Sequence, residues 1–496
     1  MRAVKLHSRL TVFALALALA GGVNLTAPEE ACAHPVDGTG CDAPQPHELP
    51  GEDVVTAAEI ATYDDSDAAA VEPGGETTSN LVHLANLPKS GPLASGTGSD
   101  IAFWGDYALQ GNYNGLQITD ISEPANPQVV GQLSCPGSQN DVSVWGTLAF
   151  LSVDSRRTND TCTSGTATTQ GGLLGDYWEG IRVVDWSDPA APKVIANVET
   201  DCGSHTHTLI PQADSVLLYA SSYSPSPLYA NCLPPHDKIS VVKVPLDAPA
   251  TASVVAEPVL FDDLGLRATM SEASTSGCHD ITAYPSKNLA AGACMGQGVI
   301  LDITDPAAPK VIANLTDANF AFWHSATFSN DGSKVIFTDE KGGGSGPECN
   351  DTVGPTKGAD AIFDISDPTA PKFLSYFKIP RTQTNQENCV AHNGIVLPTA
   401  ERDIFVQAWY QGGVSVFDFT DAANPTEIAY FDRPPFNPNQ LVGAGAWSAY
   451  WYRGHIFANG LMEGLDVLRL DDPAVGAAAS HVEPYLNAQT QEPLAG

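Results

Sequence analysis

The octapeptide DITDPAAP, at residues 302–309, lies between two apolar runs, GVIL before it and KVIANL after it. Both runs are rich in β-branched residues, which favour strands. Within the octapeptide, aspartate can bond its own backbone and proline presets φ, so the segment predicts a strand, a tight turn and a second strand. The motif returns at residues 120–127, 185–192, 364–371 and 418–425, with degenerate copies at 244–250 and 470–475. Seven copies along one chain indicate a repeat architecture.

Each repeat is predicted to contain four strands, and the fourth repeat shows their order. Its strands are expected at residues 279–284, 288–294, 298–303 and 310–315. Along the chain, the same pattern gives repeats beginning near Asp100, Asp141, His205, His279, His324, His392 and Trp447. The last repeat has only three strands, whereas residues 80–87 form a strand that belongs to no repeat. We therefore predict an all-β, seven-bladed β-propeller of four-stranded blades, closed by the N-terminal strand, because closure removes open sheet edges; an open solenoid is the alternative.

The repeat resembles the LVIVD-repeat family of β-propellers. The segments GVILDITDP, at residues 298–306, and GIRVVDWSDP, at residues 180–189, carry this resemblance, which extends over roughly residues 80–470. The resemblance implies the propeller fold. It implies no particular reaction, because the family as a whole has no single established activity.

The composition suits a large β-rich domain and argues against nucleic-acid partners. The 496 residues include 44 Gly and 37 Pro, and the net charge is −35. An acidic protein must approach phosphates of like sign, which disfavours nucleic-acid binding. We expect four regions: a signal peptide at residues 1–33, an acidic flexible linker at 34–79, the propeller at 80–472 and a C-terminal tail at 473–496.

The N-terminus has the pattern of a secretory signal whose cleavage site is open. Arg2, Lys5 and Arg9 precede an apolar run at residues 10–20, which is too short to span a bilayer. No later segment has about 18 uninterrupted apolar residues, so no transmembrane segment is predicted. The chain is therefore expected to be secreted, either extracellular or associated with the cell surface, and to be a monomer.

Ten cysteines in an exported chain indicate disulfides rather than metal ligands or nucleophiles. Cys278 and Cys294 flank one predicted hairpin and are the leading pair. The spacing does not fix the pairing, but three further local pairs are compatible with it: Cys202 with Cys232, Cys349 with Cys389, and Cys32 with Cys41. Cys135 and Cys162 would then remain as the last pair.

Histidines recur at the start of the first strand in repeats three to six: His205, His207, His279, His324 and His392. The first strand of a propeller blade lines the central channel, so equivalent positions should converge on one ring. Neutral imidazole suits Zn, Cu and Fe, and Asp141 and Glu340 could supply oxygen ligands or orient the rings. We predict a divalent transition-metal site (Cu, Fe, Mn or Zn) at the channel mouth. The alternative for each histidine is a hydrogen bond to a neighbouring blade.

Two functions are compatible with these features. The first is a secreted propeller with a histidine-lined metal or ligand site, which could be a metal-dependent enzyme acting on a small molecule. The alternative is a non-catalytic extracellular scaffold that binds a protein or a glycan. Tryptophans such as Trp104, Trp145 and Trp447, expected near the histidine rim, would pack between blades or form a platform for a planar ligand. Only a catalytic metal site requires the histidines to converge and to leave an open coordination position.

Overall fold

The computed structural model describes residues 76–168, 177–261 and 275–494, which form seven antiparallel sheets. The innermost strands of consecutive sheets contact one another, and the innermost strand of the last sheet contacts that of the first, so the sheets close into a ring. The chain is thus an all-β, seven-bladed propeller, as predicted. The predicted signal peptide, most of the predicted linker and the Cys32–Cys41 pair lie outside the described residues.

Two short strands precede the blades: β1 Glu76–Thr77 and β2 Leu81–Leu87. The first blade contains β3 Gly98–Trp104, β4 Tyr107–Asn112, β5 Gly115–Asp120 and β6 Gln128–Ser134. The second contains β7 Val142–Trp145, β8 Leu148–Arg157, β9 Trp178–Asp185 and β10 Lys193–Glu199. The third contains β11 Thr206–Pro211, β12 Ser215–Ser221, β13 Ser240–Pro245 and β14 Ser253–Ala256.

The fourth blade contains β15 Asp280–Tyr284, β16 Leu289–Cys294, β17 Gln297–Asp302 and β18 Lys310–Leu315. The fifth contains β19 Trp323–Phe328, β20 Lys334–Asp339, β21 Asp360–Asp364 and β22 Lys372–Phe377. The sixth contains β23 Gly394–Val396, β24 Ile404–Ala408, β25 Val414–Asp418 and β26 Thr426–Asp432. The seventh contains β27 Ala446–Tyr452, β28 His455–Gly460 and β29 Gly464–Leu470, and β30 Tyr485–Leu486 follows. Short 3₁₀ segments lie at Gly91–Leu93, Pro249–Thr251, Pro285–Lys287 and Pro473–Ser480.

The repeated octapeptide forms the predicted turn between the third and fourth strands. In the fourth blade, Asp302 Oδ1 accepts a hydrogen bond from the Thr304 amide at 2.8 Å, and Asp305 Oδ1 accepts one from Ala307 at 3.1 Å. The first aspartate of the motif makes the same bond at Asp120, Asp185, Asp364 and Asp418. The first aspartate of each of these turns therefore bonds the local backbone, which agrees with the sequence-based interpretation.

The N-terminal strand closes the ring, as predicted. Strand β2 pairs antiparallel with β29, from Leu81 opposite Leu470 to Leu87 opposite Leu465, and so supplies the fourth strand of the seventh blade. Strand β1 adds to the outer edge of the sixth blade by pairing with β26. The two ends of the propeller sequence are thus held in one sheet, which removes the edge that a linear array would leave.

The C-terminal segment crosses the inner strands of the first four blades. Strand β30 pairs with β3, the Asn487 side chain bonds both the amide and the carbonyl of Val144, and Thr490 Oγ1 donates to Leu209 O at 2.6 Å. Asn487, Gln489 and Thr490 are buried. Because these contacts involve the later residues of the inner strands, the segment fills the channel end opposite the strand starts.

Four disulfides join Cys135 to Cys162, Cys202 to Cys232, Cys278 to Cys294 and Cys349 to Cys389. All four were among the pairs that the spacing allowed. Only the Cys278–Cys294 bond joins residues of one blade. Each of the other three joins an insertion within a blade to a residue between two blades, namely Cys135, Cys202 or Cys389, so these bonds attach the insertions to the segments that connect the blades. Within the described part of the chain, no helix is long and apolar enough to cross a membrane.

Candidate metal centre

The strand starts of blades three to six bring four histidines into one cluster. The ring centroids of His205 and His279 are 4.2 Å apart, those of His279 and His324 are 4.1 Å apart, and those of His324 and His392 are 4.3 Å apart. The four imidazoles are at most 2% exposed. His205 and His392 are 187 positions apart in the sequence. They belong to one cluster because each blade places its first-strand start at the same end of the channel.

One nitrogen of each ring has a partner in the surrounding structure. His205 Nδ1 lies 2.6 Å from Asp154 Oδ2, and His279 Nδ1 lies 2.9 Å from Asp280 Oδ1. His392 Nδ1 lies 2.5 Å from the Trp447 carbonyl oxygen. An Nδ1–H donated to an oxygen fixes the tautomer and orients the other nitrogen, which is the usual arrangement around metal-binding histidines.

The remaining donor atoms are buried and face a glutamate. His279 Nε2, His392 Nε2 and Glu340 Oε2 have no hydrogen-bond partner among the described residues. His324 Nε2 lies 3.7 Å from Glu340 Oε2, and His392 Nε2 lies 3.6 Å from Glu340 Oε1. Ligand atoms of His279, His324 and Glu340 all lie within 4.8 Å of one another. This spacing fits coordination of a single ion.

Glu340 is held in place by a tyrosine from the neighbouring blade. It follows β20, and its Oε1 accepts a hydrogen bond of 2.6 Å from the Tyr410 hydroxyl. Tyr410 has a positive φ of 51° and exchanges two backbone hydrogen bonds with Ala446, so its position is set by the sixth and seventh blades together. The tyrosine therefore fixes which carboxylate oxygen remains available to the imidazoles.

Burial sets the protonation of these groups. Burial and the neighbouring imidazoles hold the pKa values of His279 and His324 well below their ordinary range, and burial lowers the pKa of His392 to about 3 despite its bond to Trp447. The rings are therefore neutral at neutral pH, the form in which imidazole binds metals. Burial raises the pKa of Glu340 to about 8, and a nearby cation would favour its ionised form.

Two of the residues expected at this site lie in a separate cluster. His207 and His205 share one strand face, as their spacing requires, and both point toward β8 of the second blade. His207 Nε2 lies 2.6 Å from Ser143 Oγ, and its Nδ1 lies 2.8 Å from Ser152 Oγ. Asp141 accepts a hydrogen bond from the His207 amide at 2.9 Å. His207 therefore has both ring nitrogens in hydrogen bonds to the protein.

The aromatic residues divide between the two ends of the channel. Trp447 packs on His392 with ring centroids 4.9 Å apart, near the cluster. Trp104 and Trp145 are instead the last residues of β3 and β7 and pack on Tyr485 at the other end, contrary to the expectation of one common rim. Their position follows from strand polarity, because the histidines begin the inner strands and these tryptophans end them.

Three residues that shape the centre were not among the predicted metal ligands. Asp154 orients His205, Tyr410 holds Glu340, and Tyr223 stacks on His279 with ring centroids 5.2 Å apart. Each belongs to a different repeat from the histidine or glutamate it contacts, or lies in an insertion outside the repeat. No local spacing connects such pairs, because each contact forms between neighbouring blades.

The fold and the cluster together define a class of protein: a β-propeller whose channel contains a buried group of histidines and one glutamate. A family model described as "LVIVD repeat" matches residues 95–134 and 174–200. The chain therefore carries LVIVD repeats within a seven-bladed β-propeller. No curated protein matches the sequence.

Solved structures with similar architecture are remote in sequence. Hydrazine synthase of Kuenenia stuttgartiensis is 10% identical, with 73% of this chain and 92% of that chain covered and a TM-score of 0.47. The WD40 β-propeller domain of Doa1 is 12% identical, with coverage of 79% and 97% and a TM-score of 0.46. A functionally unknown protein from Desulfotomaculum acetoxidans is 12% identical, with coverage of 72% and 94% and a TM-score of 0.44. These similarities carry no argument about function.

Proposed function

We propose that this protein is exported and binds one divalent transition-metal ion in the central channel. His279, His324, His392 and Glu340 would hold the ion, with the His205 ring beside them. The observation that carries the proposal is the set of buried donor atoms without hydrogen-bond partners, His279 Nε2, His392 Nε2 and Glu340 Oε2. Buried polar atoms of this kind normally have partners, and a metal ion would supply one for all three.

The donor set favours a transition metal over calcium or magnesium. Imidazole nitrogens suit Zn, Cu and Fe, whereas calcium and magnesium are bound mainly by oxygen. The Nδ1 atoms of His279 and His392 already have oxygen partners, so their Nε2 atoms are the ligands available. The hydrogen bond from the Tyr410 hydroxyl orients the Glu340 carboxylate, as the Nδ1 bonds orient the imidazoles.

The placement of the histidines supports an open coordination position. Four consecutive blades supply the imidazoles. At the corresponding positions of the other three blades, Ser448 Oγ donates to Ser99 O, Ser99 Oγ donates to Gln139 O, and Asn140 donates to Asn112 O. The nitrogen donors therefore approach from one side of the channel. An ion with an open position would supply Lewis-acid or redox chemistry to a small molecule, which is the metal-dependent enzyme hypothesis.

Export is supported by two features that do not depend on the metal. Four disulfides are typical of an oxidising compartment. The N-terminal sequence has a basic stretch followed by a short apolar run, as in secretory signals. An exported protein with a buried imidazole site would acquire its ion during or after folding, because the ligands come together only in the closed ring.

The proposal is tested by elemental analysis of the purified exported protein. We expect about one equivalent of Zn, Cu, Fe or Mn per chain, and loss of that metal in the double variant His279→Ala/His392→Ala. The matched control is His455→Ala, because His455 begins β28 beside the last residue of β27, away from the cluster, and its Nδ1 lies 3.2 Å from Arg453 O. A wild-type protein that remains metal-free after reconstitution with each ion would contradict the proposal.

A further inference from the structure

A small cavity lies beside the histidine cluster, between the second and third blades. Its walls are formed by Asp154, Arg156 and Glu179 of the second blade and by His205, Ser222 and Tyr223 of the third. The His205 ring also lies 4.2 Å from that of His279. Only the His205 ring would therefore separate a molecule in this cavity from the rest of the histidine cluster.

Arg156 supplies a guanidinium group to the wall of this cavity. Its guanidinium stacks on the Tyr229 ring at 3.5 Å, and its Nε is buried without a hydrogen-bond partner. No carboxylate forms an ion pair with it among the described residues, although five other arginines have such pairs: Arg381, Arg402, Arg433, Arg453 and Arg469. Arg156 is thus partly buried and stacked on Tyr229, and its buried Nε–H is left without a hydrogen-bond acceptor among the described residues, so an anion could accept from it.

Glu179 lies beside this arginine without cancelling its charge. Its side chain is 2% exposed, and its Oε1 has no hydrogen-bond partner among the described residues. Burial raises the pKa of Glu179 to about 8, even though Arg156 favours its ionised form. At neutral pH the group therefore carries a proton and can donate a hydrogen bond. Asp154, the other acid in the wall, is hydrogen-bonded to His205 Nδ1 at 2.6 Å.

We propose that this cavity binds a small carboxylate anion, with the Arg156 guanidinium and the Glu179 carboxyl as its two donors. A guanidinium matches the planar, two-oxygen shape of a carboxylate, which a single point charge does not. The role of the bound anion rests on the proposed function, since the cavity would place the anion next to the histidine cluster and its metal ion. Carboxylate binding can nevertheless be measured separately from metal binding.

The test is a saturation-transfer NMR titration of the full-length exported protein with sodium propionate and with propionamide. The amide has the same shape without the charge. We expect saturable propionate binding at least about tenfold tighter than propionamide binding, a difference of about 1.4 kcal/mol. Arg156→Gln should weaken propionate binding by at least the same factor. Arg402→Gln, which breaks an ion pair with Asp418 in the sixth blade, should leave propionate binding unchanged.

Three outcomes would overturn the inference: no saturable propionate binding, equal affinity for the two compounds, or unchanged affinity in Arg156→Gln. The comparison of propionate with propionamide uses the wild-type protein, so a folding defect in the variant cannot conceal the answer. Metal content measured on the same samples separates the two proposals. Metal without carboxylate selectivity overturns only this inference, whereas propionate binding in a protein that takes up no metal overturns only the proposed function.

Discussion

The two ring nitrogens of a cluster histidine can have different surroundings, as His279 and His392 show. In His279 and His392, Nδ1 faces an oxygen of the protein and Nε2 faces the cluster without a partner. His207, only two residues from His205, has both nitrogens engaged by serines. Residue type and strand face are thus the same at positions 205 and 207, and the neighbouring oxygens determine which ring is available to an ion.

Removal of the Tyr410 hydroxyl should weaken metal binding without unfolding the protein. Tyr410→Phe keeps the ring beside His392 but removes the 2.6 Å bond to Glu340. Loss of a side chain that hydrogen-bonds a metal ligand typically lowers metal affinity about 10- to 100-fold. We expect a decrease of this size in the zinc affinity of Tyr410→Phe, measured by competition with a chelator. Tyr219→Phe is the control, since the Tyr219 hydroxyl bonds Pro306 O away from the cluster. Unchanged zinc affinity in Tyr410→Phe would show that Glu340 needs no such support.

An ion pair between Arg433, which follows β26, and the buried Asp466 of β29 should make stability depend on acidic pH. Burial alone would raise the pKa of Asp466, but the Arg433 guanidinium and His83 outweigh it and hold this pKa well below its ordinary value. The pair therefore stabilises the fold above the unfolded-state pKa, and this contribution is lost as pH falls toward the folded-state pKa.

In Asp466→Asn, we expect unfolding to cost about 3 kcal/mol less at pH 7, because Arg433 loses its buried partner. The variant should also lose less stability than the wild type between about pH 5 and pH 2. Urea unfolding at a series of pH values measures both effects. Parallel pH dependences for the two proteins would exclude Asp466 as a source of the acid sensitivity.

The hairpin and the Asp-Pro turn are the units that the repeat specifies. In the fourth blade, the observed strands begin and end within one residue of the predicted positions, and β18 matches at both ends. The sequence pattern was sufficient here because strand alternation, turn aspartate and proline are all local determinants. Strands β17 and β18 also contain a register shift between Ile300 and Leu301, which no local signal indicated.

Two glycines with positive φ should differ in their tolerance of alanine. At Gly146, φ is +60° and an added Cβ would meet nothing within 4 Å, so Gly146→Ala should cost only the conformational strain of about 1–2 kcal/mol. At Gly413, φ is +77° and an added Cβ would lie 2.0 Å from Phe431 O. Gly413→Ala should therefore be the more destabilising change in denaturant unfolding, because the contact is with backbone in the adjoining strand. Equal losses of stability would mean that β26 moves freely.

At the scale of the whole molecule, the ring is held by segments from both ends of the chain. Strand β2 completes the seventh blade, and residues 485–491 contact the inner strands of four blades. Neither segment carries the repeat. The C-terminal segment also supplies Gln489, whose amide donates to Asp100 Oδ2 at 3.2 Å inside the channel. The closed ring therefore has one end filled by its own chain, opposite the histidine cluster.

Truncation should distinguish this channel-filling segment from the residues after it. A chain ending at residue 484 loses the bonds from Asn487, Gln489 and Thr490 to the inner strands. We expect a lower thermal midpoint and faster removal of bound zinc by a chelator, because the channel end becomes accessible. The control ends at residue 491 and keeps these bonds, so it should behave like the full chain. Identical zinc-release rates for the two truncations would contradict a sealing role.

The number of blades, the strand order and the turn chemistry follow from the sequence, because they depend on patterns within about 40 residues that recur seven times. The histidine positions also followed, since equivalent strand starts must meet in a closed ring. Other features depend on contacts between blades: the position of Glu340, and not Asp141, beside His279 and His324, the hydrogen bonds made by Tyr410 and Asp154, and the C-terminal segment in the channel. These contacts join residues far apart in sequence, and their geometry exists only after the ring has closed.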